Sequence, residues 1–396
     1  MRFIILLGLM VLGDVLWFRN ALRLPRPWMR WAGGVFAAFQ LSGMAVVLLA
    51  RGGAAMLAEG MPRWMHSVIF SRHLLVVLPW LAWQSARGLI AVARKWARAR
   101  HKAPAPRAAE SAGFTRREFL GAAAAFTPPL LTFGAAALGE AQLDGFRIRR
   151  LAVPLPELPP ALDGLTIAHV SDLHVGRFTR GRVLERIVEE TNRLDADVIA
   201  LTGDFINHSL RDLPAALELV RALRARHVVA ACEGNHDLFE NPRIFYRECE
   251  RGGLPLLRSE KAGIAINGQR VQLLGLPWTH DARAMREDTR ALLARRDPSA
   301  WPLLLAHHPH AWDFVGEIPL TLSGHTHGGQ LMLNDRVGFG PLFYRYWSGL
   351  YTRPGGALVV SNGVGNWFPV RVNAPAEIVH LTLRRANRAD APASRG

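Results

Sequence analysis

Long apolar runs dominate the first quarter of the chain. They cover residues 3–18, 31–50 and 74–92, and the first is interrupted only by Asp14. Each run is close to the ~20 residues that a helix needs to cross a bilayer. The pattern therefore predicts about three transmembrane helices within residues 1–93. A cleaved signal peptide is the alternative for the first run, although no small-residue cleavage site follows it.

A basic, proline-containing linker is predicted at residues 94–117. Arg116 and Arg117 then stand directly before Glu118-Phe119-Leu120 and an alanine-rich apolar stretch. Paired arginines ahead of a mildly apolar segment resemble a twin-arginine export signal. Residues 118–140 are therefore either such a signal or a fourth membrane span, in which Pro128-Pro129 would introduce a kink. We expect Asp14 to serve helix packing or the membrane interface rather than an ion pathway.

From residue 141 onward, short apolar runs alternate with amphipathic helical patterns. Helices are predicted at 182–194 and 214–224, and strands at 165–170, 198–201, 228–231, 271–274, 303–306, 320–322, 358–361 and 378–383. Helices concentrate in the first half and strands in the second, which favours an α/β sandwich with more than one sheet over a doubly wound sheet. We assign this domain to residues 141–384 and expect residues 385–396 to form a disordered tail.

The charge of the chain is concentrated beside the apolar runs. The net charge is +16, but residues 1–117 hold 17 Lys and Arg against 3 Asp and Glu, and the remainder is nearly neutral. This distribution argues for membrane topology, so no nucleic-acid partner is expected. The positive-inside rule places 19–30 and 94–117 in the cytoplasm and 51–73 outside. The prediction is a multi-pass protein of a bacterial inner or plasma membrane, with its catalytic domain extracytoplasmic.

Five polar stretches follow predicted strands of the domain. They are Asp172-Leu173-His174, Gly203-Asp204, Gly234-Asn235-His236-Asp237, His307-His308 and Gly324-His325-Thr326-His327. Side chains at strand ends converge over one edge of a sheet. Imidazole and carboxylate donors suit Zn, Fe or Mn. Seven candidate ligands are too many for one ion and fit two divalent ions that share an aspartate. Cys232 and Cys249 are too few for a disulfide scaffold, and a bond between these two remains an open alternative.

In this order the stretches resemble the calcineurin-like metallophosphoesterase superfamily, in particular its bacterial membrane-attached or twin-arginine-exported branch. The likeness covers roughly residues 147–384. It implies a four-layer αββα sandwich, preceded here by an N-terminal helical membrane region, with a dinuclear metal centre at the sheet edge.

The resemblance also assigns individual roles. It implies seven metal ligands: Asp172, His174 and His327 for the first ion, Asn235, His307 and His325 for the second, and Asp204 as the bridge. His236 would be the acid that protonates the leaving oxygen, and Asp237 would orient it. The choice of His307 over His308 rests on the resemblance alone.

These residues predict a membrane-anchored phosphoesterase that hydrolyses phosphodiester bonds, with a hydroxide between the two ions as nucleophile. Its partner would be a phosphoester substrate of lipid or cell-envelope origin. The first alternative is a hydrolase of phospholipid or lipid-linked pyrophosphate, which the membrane anchor favours. The second is a metal-binding membrane protein without catalysis, against which the His236-Asp237 pair argues.

Overall fold

The computed structural model describes residues 2–51, 60–99, 116–334 and 337–386. The chain forms two compact units, Met1–Glu140 and Ala141–Gly396. Residues 100–115 of the predicted linker and 387–396 of the predicted tail lie outside the described residues, so those two predictions stay predictions.

The N-terminal unit is helical. Its helices are α1 (Arg2–Ala21), α2 (Pro27–Arg51), α3 (Arg63–Ser71), a π-helical turn (Arg72–Val77), α4 (Leu78–Ala99) and α5 (Arg116–Gln142). Within the described residues, three stretches are long and apolar enough to cross a membrane: Pro27–Leu49, Arg63–Trp96 and Glu118–Gln142. Helix α5 continues through Pro128 and Pro129, so the segment after Arg116 and Arg117 has the length of a span.

Asp14 is buried inside this helical unit. Its Oδ1 lies 2.9 Å from Nη2 of Arg72, and its Oδ2 lies 2.8 Å from Nε2 of His73. The Arg72 guanidinium also stacks over Trp17, 4.8 Å from the ring centroid. These contacts tie α1 to the π-helical turn and give Asp14 a helix-packing role, because a buried carboxylate needs a cationic partner.

The C-terminal unit contains two main sheets. The strands are β1 (Phe146–Leu155), β2 (Thr166–Val170), β3 (Val198–Thr202), β4 (Val228–Cys232), β5 (Glu260–Ile266), β6 (Gln269–Gly275), β7 (Trp301–Leu305), β8 (Leu320–Ser323), β9 (Met332–Asn334), β10 (Val337–Gly338), β11 (Gly349–Arg353), β12 (Gly356–Val360) and β13 (Ala376–Arg385). One sheet has the order β1-β13-β2-β3-β4 and the other β11-β12-β8-β7-β6-β5, with β9 and β10 forming a separate small hairpin.

Alternating side chains set the layers. In β7, Leu303 and Leu305 belong to the core between the two sheets, whereas Leu304 packs in the outer core on the far side. In β2, Ile167 lies in the inter-sheet core, and Ala168 packs with Val183 and Ile187 in the core of the other outer layer. Period-two alternation with both faces apolar places each sheet between two layers.

Helices cover the outer faces of both sheets. They are α6 (Arg182–Arg193), α7 (Leu213–Ala222), α8 (Pro242–Arg251) and α9 (Ala282–Ala294). The first three contribute buried side chains to the core over the first sheet, and α9 contributes to the core over the second. The predicted αββα sandwich is confirmed.

Strand direction determines where the polar stretches meet. β2, β3 and β4 are parallel neighbours in the first sheet, and β7, β8 and β12 are parallel neighbours in the second. Their carboxyl ends therefore lie at one edge of each sheet. The five polar stretches of the sequence follow β2, β3, β4, β7 and β8 at that edge.

Candidate metal centre

The backbone is strained where the candidate ligands stand. Five of them adopt left-handed φ values: Asp172 (54°), His174 (43°), Asp204 (55°), His325 (72°) and His327 (49°). Such values cost non-glycine residues about 1 kcal/mol or more each, and this strain concentrates at functional sites. The turns after β2, β3 and β8 thus direct these side chains inward at the expense of local stability.

A first cluster is formed by Asp172, His174 and His327, all buried. Nε2 of His327 lies 3.1 Å from Oδ1 of Asp172 and 3.0 Å from Nε2 of His174. Two imidazole nitrogens and a carboxylate oxygen thus converge on one point. This donor set and spacing could hold a divalent cation of the Zn, Fe or Mn class.

A second cluster contains Asp204, His307 and His325. Nε2 of His307 lies 3.2 Å from Oδ2 of Asp204 and 3.2 Å from Oδ1 of Asn235. Nδ1 of His325 lies 2.9 Å from the same Asn235 oxygen. The Asn235 amide oxygen therefore joins this cluster as a fourth candidate ligand.

Asp204 connects the two clusters. Its Oδ2 lies 3.5 Å from Nε2 of His174 in the first cluster and 3.2 Å from Nε2 of His307 in the second. One carboxylate oxygen thus faces both groups of donors.

His308 has a different hydrogen-bond partner from its neighbour His307, since its Nδ1 accepts the backbone N–H of His310 at 3.2 Å.

Four of the candidate ligands have protonation states that suit metal binding. Burial by itself raises the pKa of Asp172 and Asp204, but the surrounding histidines, led by His327 and His307 respectively, outweigh it and lower both pKa values. Burial lowers the pKa of His174 and His325 well below the usual range, with further lowering by neighbouring histidines. Ionised carboxylates beside neutral imidazoles are the forms that bind divalent metal.

A chain of hydrogen bonds leads to the Asp172 carboxylate. Nε2 of His169 lies 2.8 Å from the Thr202 hydroxyl, Thr202 donates to Ser171 at 2.6 Å, and Ser171 donates to Oδ2 of Asp172 at 2.6 Å. The backbone N–H of His325 donates to both carboxylate oxygens at 3.1 Å. These donors fix the carboxylate orientation, as outer hydrogen bonds do around metal ligands.

Asp237 binds backbone groups of two loops at the centre. The resemblance implies that it orients the His236 ring, and that role stays a prediction. In the structure its carboxylate accepts backbone N–H groups of Asp204 (3.0 Å), Phe205 (2.7 Å), Ile206 (3.2 Å) and Gly234 (2.9 Å). Asp237 therefore holds together the two loops that carry Asp204 and Asn235.

The His236 ring is oriented by a carbonyl. Its Nδ1 is hydrogen-bonded to the backbone oxygen of Asn207, so this nitrogen carries a proton. The backbone N–H of His236 donates to Oδ1 of Asp204 at 2.8 Å. The ring stands edge-on to that of His174 at 4.5 Å, and His236 also groups with His174 and Asp204 at ligand spacing. The geometry fits both an acid and a ligand.

Arg371 was not singled out from the sequence, yet it contacts the centre. Its side chain is fully buried; its Nη2 lies 3.0 Å from Nδ1 of His327 and donates to the Gly365 carbonyl at 2.6 Å. Tyr344 is a second such residue, with its hydroxyl 3.5 Å from Nε2 of His325. An arginine between Val370 and Val372 in an otherwise apolar run is the signal that could have revealed the first.

Comparison with known families bears on this centre. Residues 165–329 match the family model described as calcineurin-like phosphoesterase. That range holds both clusters. The resemblance of the C-terminal unit to calcineurin-like phosphoesterases is therefore confirmed over residues 165–329.

Cys232 and Cys249 are free and buried, so the disulfide that the sequence left open is not formed.

Curated relatives share this phosphoesterase domain. An uncharacterized metallophosphoesterase of Helicobacter pylori is 30% identical over 247 residues, which is 59% of this chain and 65% of the relative. A transmembrane protein with metallophosphoesterase domain from Danio rerio is 29% identical over 248 residues, covering 59% and 56%. The metallophosphoesterase YkuE of Bacillus subtilis is 28% identical over 242 residues, covering 58% and 82%. The matches thus span just under two thirds of the first relative's length.

Proposed function

We propose that this protein is a membrane-anchored phosphoesterase that uses two divalent cations to hydrolyse phosphoester bonds, phosphodiesters above all. One cation would be held by Asp172, His174 and His327, and the other by Asn235, His307 and His325 (with Asp204 shared between them). Bound cations supply Lewis acidity, which neutralises phosphoryl oxygens and lowers the pKa of water. The phosphoesterase domain and the convergence of these donors support the proposal.

Residues other than the candidate ligands supply a proton and position the site. Because Nδ1 of His236 donates to the Asn207 carbonyl, Nε2 is the ring nitrogen that can give a proton to the leaving oxygen. Asp237 keeps the Asp204 and Asn235 loops in register through four backbone hydrogen bonds. Arg371 packs against the His327 ring, with its Nη2 3.0 Å from Nδ1. Strained, buried ligands held by such bonds cost little reorganisation during the reaction.

The single observation that carries the proposal is the position of Asp204 Oδ2 between His174 and His307. In the full-length protein purified in detergent, Asp204→Asn should lower metal content towards one ion or none. It should also abolish hydrolysis of bis(p-nitrophenyl) phosphate, because one carboxylate serves both clusters. Metal analysis and steady-state rates on the same preparation measure both effects.

Asp195→Asn is the matched control. Asp195 is an exposed aspartate that also has a positive φ, and it pairs with Arg226 at the surface. This variant should keep metal and rate. An Asp204→Asn protein that retained both ions and full turnover would contradict the two-ion centre. A wild-type protein that bound metal but hydrolysed no phosphoester would favour the non-catalytic alternative.

We further propose that the phosphoesterase domain lies on the extracytoplasmic side of a cell membrane. Support comes from the arginine-rich segments at 19–30 and 94–117, which flank helices long enough to cross a bilayer. Positive segments of this kind stay in the cytoplasm. On that side the enzyme would meet lipid head groups, envelope phosphates and scavenged phosphoesters rather than cytoplasmic nucleotides.

A further inference from the structure

The phosphoesterase domain carries an unusual distribution of exposed apolar side chains. Among its described residues, six large apolar side chains are exposed: Phe239, Leu333, Val337, Phe339, Leu342 and Phe343. Three of them have more than two thirds of their surface open to solvent, with Leu333 at 78%, Leu342 at 71% and Phe343 at 69%. We call this set the apolar collar. Single exposed apolar residues need no explanation, but five within eleven positions of the chain indicate an interaction site.

The collar adjoins the candidate metal centre on two sides. The Phe239 ring packs 4.5 Å from the ring of His236. Leu333 stands six residues after His327, and the other four residues lie on the segment 337–343. Tyr344 follows that segment, and its ring lies 5.5 Å from that of His325. A ligand whose phosphate sits between the histidines would thus have apolar side chains beside it.

The segment is held in place although it is exposed. The backbone N–H of Phe339 donates to the Leu331 carbonyl at 2.9 Å, and that of Tyr344 donates to the Gly340 carbonyl at 2.9 Å. A Cβ built on Gly329 would meet the Gly340 nitrogen at 2.3 Å, so the loop after His327 touches this segment directly. The collar is therefore an ordered surface that contacts the loop after His327, and its apolar side chains are exposed to solvent.

The rest of the chain indicates which kind of ligand the apolar collar binds. Helices long enough to cross a membrane belong to the same polypeptide, and α5 ends at Gln142 only three residues before β1 begins at Phe146. Three residues of chain thus join a membrane-length helix to the first strand of the domain. Arg345 follows the collar in sequence; its side chain is 72% exposed, and its Nη1 lies 3.4 Å from Oδ1 of Asp313.

We propose that the apolar collar contacts the acyl chains of a membrane phospholipid, and that the centre beside it acts on an amphiphilic phosphodiester. This inference rests on the proposed phosphoesterase function and names its substrate class. Burying exposed apolar side chains against acyl chains is favourable, so several such contacts favour a lipid substrate over a water-soluble one with the same phosphodiester.

A first test reads out lipid contact without catalysis. Both native cysteines are buried, so a nitroxide label can be confined to Leu342→Cys in the full-length protein in phosphatidylcholine–phosphatidylglycerol nanodiscs. Molecular oxygen should relax this label more than a water-soluble nickel chelate does. Glu189→Cys on α6, whose side chain is 68% exposed, is the control and should show the reverse. Water-like accessibility at 342, or spin–spin broadening from a second copy of the chain, would overturn the proposal.

A second test compares substrates with one leaving group. They are dioleoyl phosphatidyl-p-nitrophenol in mixed micelles, its monomeric dihexanoyl form and bis(p-nitrophenyl) phosphate. Leu342→Ser with Phe343→Ser should lower kcat/KM at least tenfold for the dioleoyl substrate and less than twofold for bis(p-nitrophenyl) phosphate. The apolar pair Leu342→Met with Phe343→Leu should retain both rates. Equal losses on all substrates, or none on any, would refute acyl-chain contact.

Failure of the proposed function and failure of the collar proposal give different experimental results. A wild-type protein that is loaded with metal but hydrolyses none of the three diesters contradicts the proposed function, and the nitroxide experiment still decides whether the collar meets lipid. A wild-type protein that hydrolyses bis(p-nitrophenyl) phosphate and shows no preference for long acyl chains contradicts the collar alone.

Discussion

At the level of single residues, the Asn207 carbonyl engages Nδ1 of His236, so Nε2 is the ring nitrogen that can give a proton. His236→Ala should keep both metal ions. It should lose about 10²–10⁴-fold in rate on diesters with alkoxide leaving groups, the usual scale for general acid catalysis. The loss should shrink for p-nitrophenolate esters, which need little protonation. Rates across a leaving-group series, with metal content measured in parallel, provide the comparison.

The control for that series is His227→Ala. His227 is an exposed histidine just before β4, and its removal should change neither quantity. Equal losses for good and poor leaving groups would remove His236 from the acid role. Loss of one ion would instead make it a ligand, a role that its spacing to His174 and Asp204 also allows.

His307 predicts the pH dependence of metal binding. Burial by itself lowers its pKa, but the Asp204 carboxylate outweighs burial and raises the pKa to about 9. Below that pH the metal-free ring is protonated, whereas a ligating imidazole must be neutral. Metal affinity should therefore rise about tenfold per pH unit towards pH 9 and level off above it. Calorimetry at pH 7.5 in buffers of different ionisation enthalpy should show release of about one proton, and a flat affinity from pH 6.5 to 8.5 would contradict this.

The sequence marks the candidate ligands and also Asp237, but it does not show through which contacts those ligands are supported, for a physical reason. Ligand types are limited to a few side chains and stand at strand ends, so Asp172 or His325 can be recognised in a linear pattern. Supports act through contacts distant in sequence. Asp237 reaches backbone groups 31 to 33 residues away, and Arg371 reaches His327 across 44 residues. Fold geometry alone creates those contacts.

At the level of elements, the buried strands were predictable and the exposed-edge elements were not. The eight predicted strands correspond to β2, β3, β4, β6, β7, β8, β12 and β13, which confirms them. The sequence does not predict the edge strands β1 and β5, because polar residues interrupt their apolar residues and leave only weak apolar runs. Helix α8 was missed because only Phe245 and Cys249 are buried along its ten residues. Too few apolar positions remained to reveal a helical period.

The junction between β8 and the ligand loop allows a sharp test. A Cβ built on Gly324 would lie 1.9 Å from Oγ of Ser171 and 2.2 Å from Oδ2 of Asp172. Gly324→Ala should therefore displace the Asp172 carboxylate, release metal and lower the phosphodiesterase rate by about 10²-fold, the scale of a misplacement near 1 Å. Metal analysis and rates, with circular dichroism to confirm folding, measure this.

Gly263→Ala in β5 is the matched control, because a Cβ there meets no atom within 4 Å. It should leave metal content and rate unchanged. A Gly324→Ala protein that kept both would show that the strand end can relax without moving Asp172, and the rigid placement of the first cluster would then be wrong.

At the scale of the whole molecule, charge and hydropathy along the sequence carry information that the phosphoesterase fold does not contain. The domain's own charge is nearly neutral, whereas the excess of arginine lies in segments beside the membrane-length helices. An αββα sandwich folds equally well on either side of a membrane. Its sidedness therefore has to be inferred from the flanking segments and tested separately.

We predict that the domain after residue 140 is extracytoplasmic. With 19–30 and 94–117 held inside by their arginines, α5 must cross the bilayer and deliver β1 to the outer side. Protease added to intact spheroplasts of a bacterium expressing the full chain should digest the domain while a cytoplasmic marker stays whole. If α5 only lay on the membrane surface, the domain would be protected until lysis. That result would refute the outside assignment and move the substrate to the cytoplasmic leaflet, where lipid precursors are made.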